Sequence, residues 1–343
     1  MKPAFTDVLG NLALRNRLGD DIQNGRISHA YIIEGAYGTG KHMLALRIAA
    51  ALACENKDSP ATPLPCMGCL SCRKILGGNS PDVIFINRGD KATLGVEAIR
   101  NLKQDVCVAP NDVSVKIYII EDAHLMTVQA QNAFLLTLEE PPPYVLFLLL
   151  CESVTPLLET IRSRAPTLRT EPIPAEEIGK HLCRVNTDAA GLAKASPKDF
   201  SEILAAADGS IGKALNLLDA KARKPIIARR ETAREFVRLC SSRRNSSAAL
   251  RFLNSLGQKR EELTEQLSII LLCLRDLLLC KQTEQAPLCF FSDREEASAL
   301  SYGFTTPALL ELCDRVCDAI SRLRVNANVR LTLTELAVQT SLL

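Results

Sequence analysis

Two patterns of apolar positions divide this chain. Up to about residue 170, short apolar runs of strand length alternate with longer stretches of helical character. Tyr31 to Glu34 predicts a short strand that runs into glycine, and Lys41 to Cys54, rich in alanine and leucine, predicts a helix. Asp82 to Asn87 predicts a strand and Gly95 to Val106 a helix. Val115 to Ile120 is rich in β-branched residues and reads as a strand buried on both faces. Val128 to Glu139 predicts a helix that Pro141-Pro142-Pro143 stops. Tyr144 to Leu150 is another buried strand. This alternation argues for a parallel sheet covered by helices.

After about residue 171 the strands stop. Glu171 to Leu218 reads as short helices, and the rest, to Leu343, carries apolar residues at three- and four-residue spacing. Pro225 and the basic stretch Arg223 to Arg244 mark a boundary. The expectation is an α/β domain over 1–170, a small helical domain over 171–222 and an all-α domain over 223–343. Within the basic stretch, Arg230, Arg234 and Arg238 recur at four-residue intervals among Glu231 and Glu235, with Arg229, Arg243 and Arg244 nearby. That spacing predicts a solvated helix face with supporting ion pairs. A partner-facing surface is the alternative.

Composition narrows the class. A length of 343 residues suits two or three domains, and 47% apolar residues suffice for ordinary cores. The net charge of +2 excludes a strongly basic chain, although a local patch facing nucleic acid fits it. Apolar runs such as Val145 to Cys151 fall far short of the roughly 20 residues of a membrane span. Met1-Lys2-Pro3-Ala4-Phe5 lacks the apolar core of a secretory signal, so a cytoplasmic location without membrane attachment is expected. Thirteen cysteines, an odd number scattered along the chain, do not form a disulfide framework. Nine of them sit in apolar or helical contexts, as small buried hydrophobes do.

The other four are clustered. Cys54 is followed by Cys66-Met67-Gly68-Cys69-Leu70-Ser71-Cys72, two overlapping C-x-x-C steps. A tight turn at that spacing directs neighbouring thiolates at one metal, and a set of four cysteines suits tetrahedral structural zinc. An iron–sulfur cluster and free thiols are the alternatives.

Gly35-Ala36-Tyr37-Gly38-Thr39-Gly40-Lys41-His42 fits G-x-x-x-x-G-K between a predicted strand and a predicted helix. Backbone N–H groups, the helix N-terminus and Lys41 together make a phosphate cradle. The last position departs from the motif. A working loop has Ser or Thr there, whose hydroxyl binds Mg²⁺, and imidazole is a poor ligand for so hard a cation. A second acidic pair, Glu121-Asp122, ends the Val115 strand, with the usual Asp-Glu order reversed. Mg-ATP binding at Gly35, Gly38, Gly40, Lys41, His42, Glu121 and Asp122 is therefore expected to be degenerate.

These residues, with several others, resemble a known family. Ser28-His29-Ala30-Tyr31 precedes the loop, the cysteines follow its helix, and Ala130 to Pro142 reads A-Q-N-A-F-L-L-T-L-E-E-P-P. Pro81-Asp82, Val96 to Arg100 and Leu157 to Arg164 fall in the same order. The sequence resembles bacterial DNA polymerase III clamp-loader subunits of the AAA+ class, the gamma/tau and delta-prime proteins. The match is clear over residues 5–220 and weak beyond. It implies a RecA-like P-loop sheet with a zinc loop, a helical lid and a C-terminal helical collar. It also implies that Arg164, in Ser163-Arg164, acts as an arginine finger on a neighbouring subunit's ATP. The implied partners are gamma/tau and delta subunits, the sliding clamp and primer–template DNA held without sequence specificity. Four features point to the delta-prime type, a non-hydrolysing component, rather than a gamma/tau motor. His42 replaces the hydroxyl residue. No clear sensor Thr or Asn lies within Leu150 to Ser153. Gly212 stands where the lid helix would carry a sensor arginine, with Lys213 beside it, and no tau-like extension follows. The active motor and an unrelated P-loop kinase are the competing readings.

Overall fold

The computed structural model describes residues 3–59, 61–241, 246–257, 259–283, 288–325 and 327–340. The chain forms two compact units, one of Met1–Ile178 with Gly209–Gly212, the other of Gly179–Asp208 with Lys213–Leu343.

The first unit carries α1 (Leu12–Gln23), β1 (Ala30–Glu34), α2 (Lys41–Leu52), α3 (Leu70–Leu76), β2 (Val83–Ile86), α4 (Val96–Asp105), β3 (Lys116–Ile120), α5 (Val128–Glu139), β4 (Val145–Cys151), α6 (Glu159–Arg162) and β5 (Thr167–Arg169). The five strands pair in parallel in the order β2-β3-β4-β1-β5. This is the helix-covered parallel sheet that the apolar alternation predicts. Strand side chains point alternately to two faces. Ile33, Ile117, Ile119, Leu146 and Leu148 meet α1 and α2 on one face. Ile32, Tyr118, Ile120, Phe147 and Leu149 meet α4 and α5 on the other. All seven residues of β4 are buried, which explains why its sequence shows no polar alternation. The small side chains Ala45, Ala49, Ala50 and Ala51 let α2 lie close to the sheet.

Observed strand ends differ from the expected ones by about a residue. The edge strand β5 and the helices α1, α3 and α6 were not expected; they are short or carry weak apolar patterns. The buried Asp82 carboxylate, just before β2, accepts from the N–H groups of Asn111 (2.7 Å), Asp112 (2.6 Å) and Val113 (3.0 Å). It thereby fixes the loop that feeds β3. Lys116, buried at the start of β3, pairs with Asp105 at 3.0 Å. Burial opposes ionisation of Asp105, but the Tyr118 hydroxyl (2.7 Å) and Lys116 outweigh it and hold the carboxyl below its ordinary value.

The second unit is helical. α7 (Ala175–Val185) leads into it, followed by α8 (Thr187–Ala195), α9 (Pro197–Ala206), α10 (Ile211–Leu218), α11 (Ala220–Ser241), α12 (Ser246–Ser255), α13 (Arg260–Gln282), α14 (Arg294–Ser301), α15 (Thr306–Arg324) and α16 (Val329–Thr340). α11 carries the chain without a break past residue 222, with Pro225 inside the helix. Its core joins Phe236 and Val237 of α11 to Leu267, Ile270 and Leu274 of α13.

The basic stretch behaves differently from expectation. Arg230 and Arg234 are buried instead of solvated. Their guanidinium carbons lie 4.5 and 5.3 Å from the Phe290 ring centroid. Arg230 also donates to the Phe290 carbonyl, and Arg234 pairs with Glu296 at 2.9 Å. Cation–π contact and a buried acceptor offset the desolvation that helical spacing alone does not reveal. Arg238, paired with Glu231 at 3.0 Å, does stay at the surface. Arg243 and Arg244 lie outside the described residues.

Phe290 is itself held by Asp276. That fully buried carboxylate accepts from the N–H groups of Cys289 (2.8 Å), Phe290 (2.7 Å) and Phe291 (3.2 Å). Asp276→Ala leaves three donors without their acceptor, each worth about 1–3 kcal/mol when unsatisfied and buried. The expected loss is about 3 kcal/mol or more, read as a lower urea midpoint. A shift below about 1 kcal/mol would contradict this role for the carboxylate.

Candidate functional site

The loop after β1 is shaped by two glycines in left-handed conformations, Gly38 at φ +73° and Gly40 at φ +89°. A Cβ on Gly38 would also lie 2.2 Å from Ser210 Oγ. The Gly38 carbonyl accepts from the Gly212 N–H at 3.3 Å, and a Cβ on Gly212 would sit 3.2 Å from Gly38 Cα. Backbone therefore meets backbone at the place where the resemblance expects a sensor arginine in a motor subunit. Thr39 donates to the Ala36 carbonyl at 2.8 Å and lies 3.1 Å from Thr170 Oγ1.

Lys41 folds back over this loop. Its Nζ donates to the Gly35 carbonyl at 2.6 Å and to the Ala36 carbonyl at 2.8 Å. Burial pulls its ammonium below the ordinary lysine value, against the opposing pull of Glu152, Cys151 and Asp122. The lysine thus sits at the cradle and serves its carbonyls.

His42 and the acidic pair come together, as the motif order requires. Here they are engaged with other groups. His42 Nδ1 lies 2.9 Å from Glu121 Oε1, and its ring stacks on Phe85, with centroids 5.1 Å apart. Asp122 pairs with Arg88 at 3.3 Å. Asp122 also takes a left-handed backbone, φ +49°. Aspartate tolerates that conformation more readily than longer side chains do, a local reason for the reversed order. The residues do not fit a Mg²⁺–nucleotide site. The hydroxyl ligand is absent, and both carboxylates face a nitrogen of this same chain.

The four cysteines do converge. The Sγ atoms of Cys54, Cys66, Cys69 and Cys72 all lie within 4.8 Å of one another, and Cys66 and Cys72 are 3.9 Å apart. A tetrahedron with metal–sulfur distances of about 2.3 Å has edges of about 3.8 Å. Cys66 Sγ accepts from the Cys69 N–H at 3.3 Å, and Cys69 Sγ caps α3 by accepting from the Cys72 N–H at 3.4 Å. Burial pushes the Cys54 and Cys72 thiols up. At Cys66 burial acts the same way, but hydrogen bonds from Asn56 and the turn outweigh it and bring the thiol to about 6. Glu55 accepts from the Ser71 N–H (3.1 Å) and hydroxyl (2.9 Å), tying the two ends of the module together. The donor set fits one tetrahedral, thiophilic ion.

Arg164 follows α6. Its Nη2 is 2.8 Å from Glu139 Oε1 at the end of α5, and Nη1 donates to the Thr160 carbonyl at 3.0 Å. The Ser163 hydroxyl donates to the same carbonyl at 3.0 Å. The L-E-E-P-P run marks the family in sequence, but only the fold gives its first glutamate a partner.

Residues 10–174 match the family described as DNA polymerase III, delta subunit, and residues 225–341 match DNA polymerase III, delta subunit, C terminal. The chain belongs to the DNA polymerase III delta-subunit family. It is also related to gamma/tau. It is 31% identical over 289 residues to DNA polymerase III subunit tau of Bacillus subtilis (strain 168), covering 81% of this chain and 50% of that relative. It is 34% identical over 215 residues to subunit tau of Escherichia coli (strain K12), covering 63% and 32%. The chain thus spans about half the length, or less, of these curated relatives. Among solved structures, a DNA polymerase III gamma subunit-related protein of Thermotoga maritima MSB8 gives a TM-score of 0.43 at 18% identity, covering 95% of this chain and 98% of that one. The RuvB Holliday junction branch migration motor of Thermotoga maritima gives 0.41 at 14% identity, covering 90% and 87%. The first delta-subunit match contains the loop, the cysteine centre and Arg164, and the C-terminal match covers most of the helices from α11 onward. Among the described residues no helix is long and apolar enough to cross a membrane.

Proposed function

We propose that this chain is a clamp-loader subunit of DNA polymerase III, of the delta-prime type. It helps place the sliding clamp on primed DNA without hydrolysing ATP itself. The observation that carries this reading is His42 Nδ1 on Glu121 Oε1 at 2.9 Å, in a loop whose motif calls for a magnesium-binding hydroxyl. The Gly38–Gly212 backbone contact supports it, since any side chain at position 212 would press its Cβ to 3.2 Å from Gly38 Cα. Three parts follow: an AAA+ domain over 1–170, a lid over 171–222 and a collar over 223–343 that meets gamma/tau and delta subunits. Primer–template DNA would be held through its phosphates, without base readout. Cys54, Cys66, Cys69 and Cys72 would hold structural zinc, which supplies cross-linking to a loop that has no core of its own.

Arg164 would act on a neighbour's ATP. There a water oxygen attacks the γ-phosphorus and the bond to the bridging oxygen breaks. ADP leaves with the electron pair, and phosphate and a proton are released. A guanidinium beside the transferring group offsets the charge that develops on it.

Lys41→Ala tests the non-motor reading. The isolated wild-type chain is expected to hydrolyse no ATP, and a complex rebuilt with Lys41→Ala to hydrolyse at the wild-type rate. If the isolated chain hydrolyses ATP and Lys41→Ala abolishes it, the gamma/tau-type motor replaces this reading.

A further inference from the structure

We infer that Glu139 is a positioning residue for Arg164, setting the guanidinium's orientation before a neighbour's nucleotide meets it. This rests on the finger reading of Arg164 given above. The guanidinium is held from two elements. Glu139, the last residue of α5, lies 2.8 Å from Nη2, while the Thr160 carbonyl of α6 takes Nη1 at 3.0 Å and Ser163 Oγ lies 3.5 Å from Nη1. Arginine has five N–H donors in a rigid planar fork. These contacts fix the plane of the fork and still leave donors for an anion. A free arginine side chain has large rotamer entropy, and ordering it beforehand removes that cost from the barrier of the step it assists.

The anchor is itself well placed. Thr137 and Leu138, in the last turn of α5, are buried, and Pro141-Pro142-Pro143 follows it. Both partners are more than a third exposed, at 37% and 45%. An ion pair so exposed contributes little to folding. Stability is therefore a weak reason for the pair, and orientation a better one. A carboxylate also partly neutralises the guanidinium, and if that effect prevailed Glu139 would restrain the finger instead of presenting it. The two effects have opposite signs in the rate.

The experiment is steady-state ATP hydrolysis by the reconstituted complex, with kcat and KM read separately. Glu139→Ala is expected to lower kcat about tenfold with KM unchanged. Glu139→Gln keeps an acceptor oxygen and should restore most of the rate. In an Arg164→Ala background, Glu139→Ala should have no further effect, because the two act as one unit. An unchanged or raised kcat for Glu139→Ala overturns the inference. So does an equal loss in the Arg164→Ala background, which would mark a structural effect. If Glu139→Ala fails to fold, Glu139→Asp carries the test: it keeps the charge, withdraws the carboxylate by one methylene, and should lower kcat as well. If Arg164→Ala leaves hydrolysis intact, the finger reading itself falls, an outcome separate from the others.

Discussion

Replacing Arg164 with alanine is expected to lower ATP hydrolysis by the reconstituted complex about 10³-fold, the size typical of a lost arginine finger. The fold should hardly notice. The side chain is 37% exposed and its ion pair with Glu139 is solvated, so the stability change should be about 0–1 kcal/mol. Arg164→Lys should rescue little, because an ammonium is a point charge without the planar fork that meets a phosphoryl group in two places. Hydrolysis assays beside thermal unfolding of the isolated chain separate the two effects. A loss smaller than about threefold, or full rescue by lysine, would show that Arg164 is a surface arginine in a local ion pair and no more.

Metal removal should have the largest effect on stability. The purified chain is expected to carry one zinc ion, measured by elemental analysis, and to show no absorbance above about 400 nm of the kind that iron–sulfur clusters give. An ion that binds only the folded state, present at a thousandfold its Kd, stabilises by about 4 kcal/mol. Stripping it with a strong chelator should cost about that much and loosen the segment from Cys54 to α3 first. The reason is local. Cys72 and Ile75 belong to the core on α2, but Met67, Gly68 and Leu70 do not. Cys72→Ser should lose the metal and add the cost of a buried hydroxyl, whereas Cys66→Ser should lose the metal alone, since Cys66 is only half-buried. A chain that purifies without metal and melts unchanged after chelation would remove zinc from this account.

Much of the first unit was legible in the sequence because its signals are local. Continuous β-branched and leucine runs predict buried strands wherever a sheet is covered on both sides. Glycines at fixed offsets before a lysine predict the loop, since backbone turned toward an anion needs them. Cysteines with two residues between them predict a shared ion, because a short turn brings their sulfurs within reach. The weak points were also local ones. A three-residue edge strand such as β5 and a four-residue helix such as α6 carry too few positions to show a period.

What only the tertiary structure decided is which distant polar groups meet. Sequence marks His42 as a poor magnesium ligand, but not that it turns to Glu121 and stacks on Phe85. Sequence marks Arg164 by resemblance, and Glu139 only as part of a fingerprint; the fold puts them 2.8 Å apart. Four-residue spacing places Arg230 and Arg234 on one helix face. Whether that face meets water or the ring of Phe290 depends on the Asp276 carboxylate, which fixes the backbone around Phe290. Periodicity reports how a segment treats its own neighbours. The partner of a charge is set by the packing of other segments against it, and one segment's pattern does not contain that.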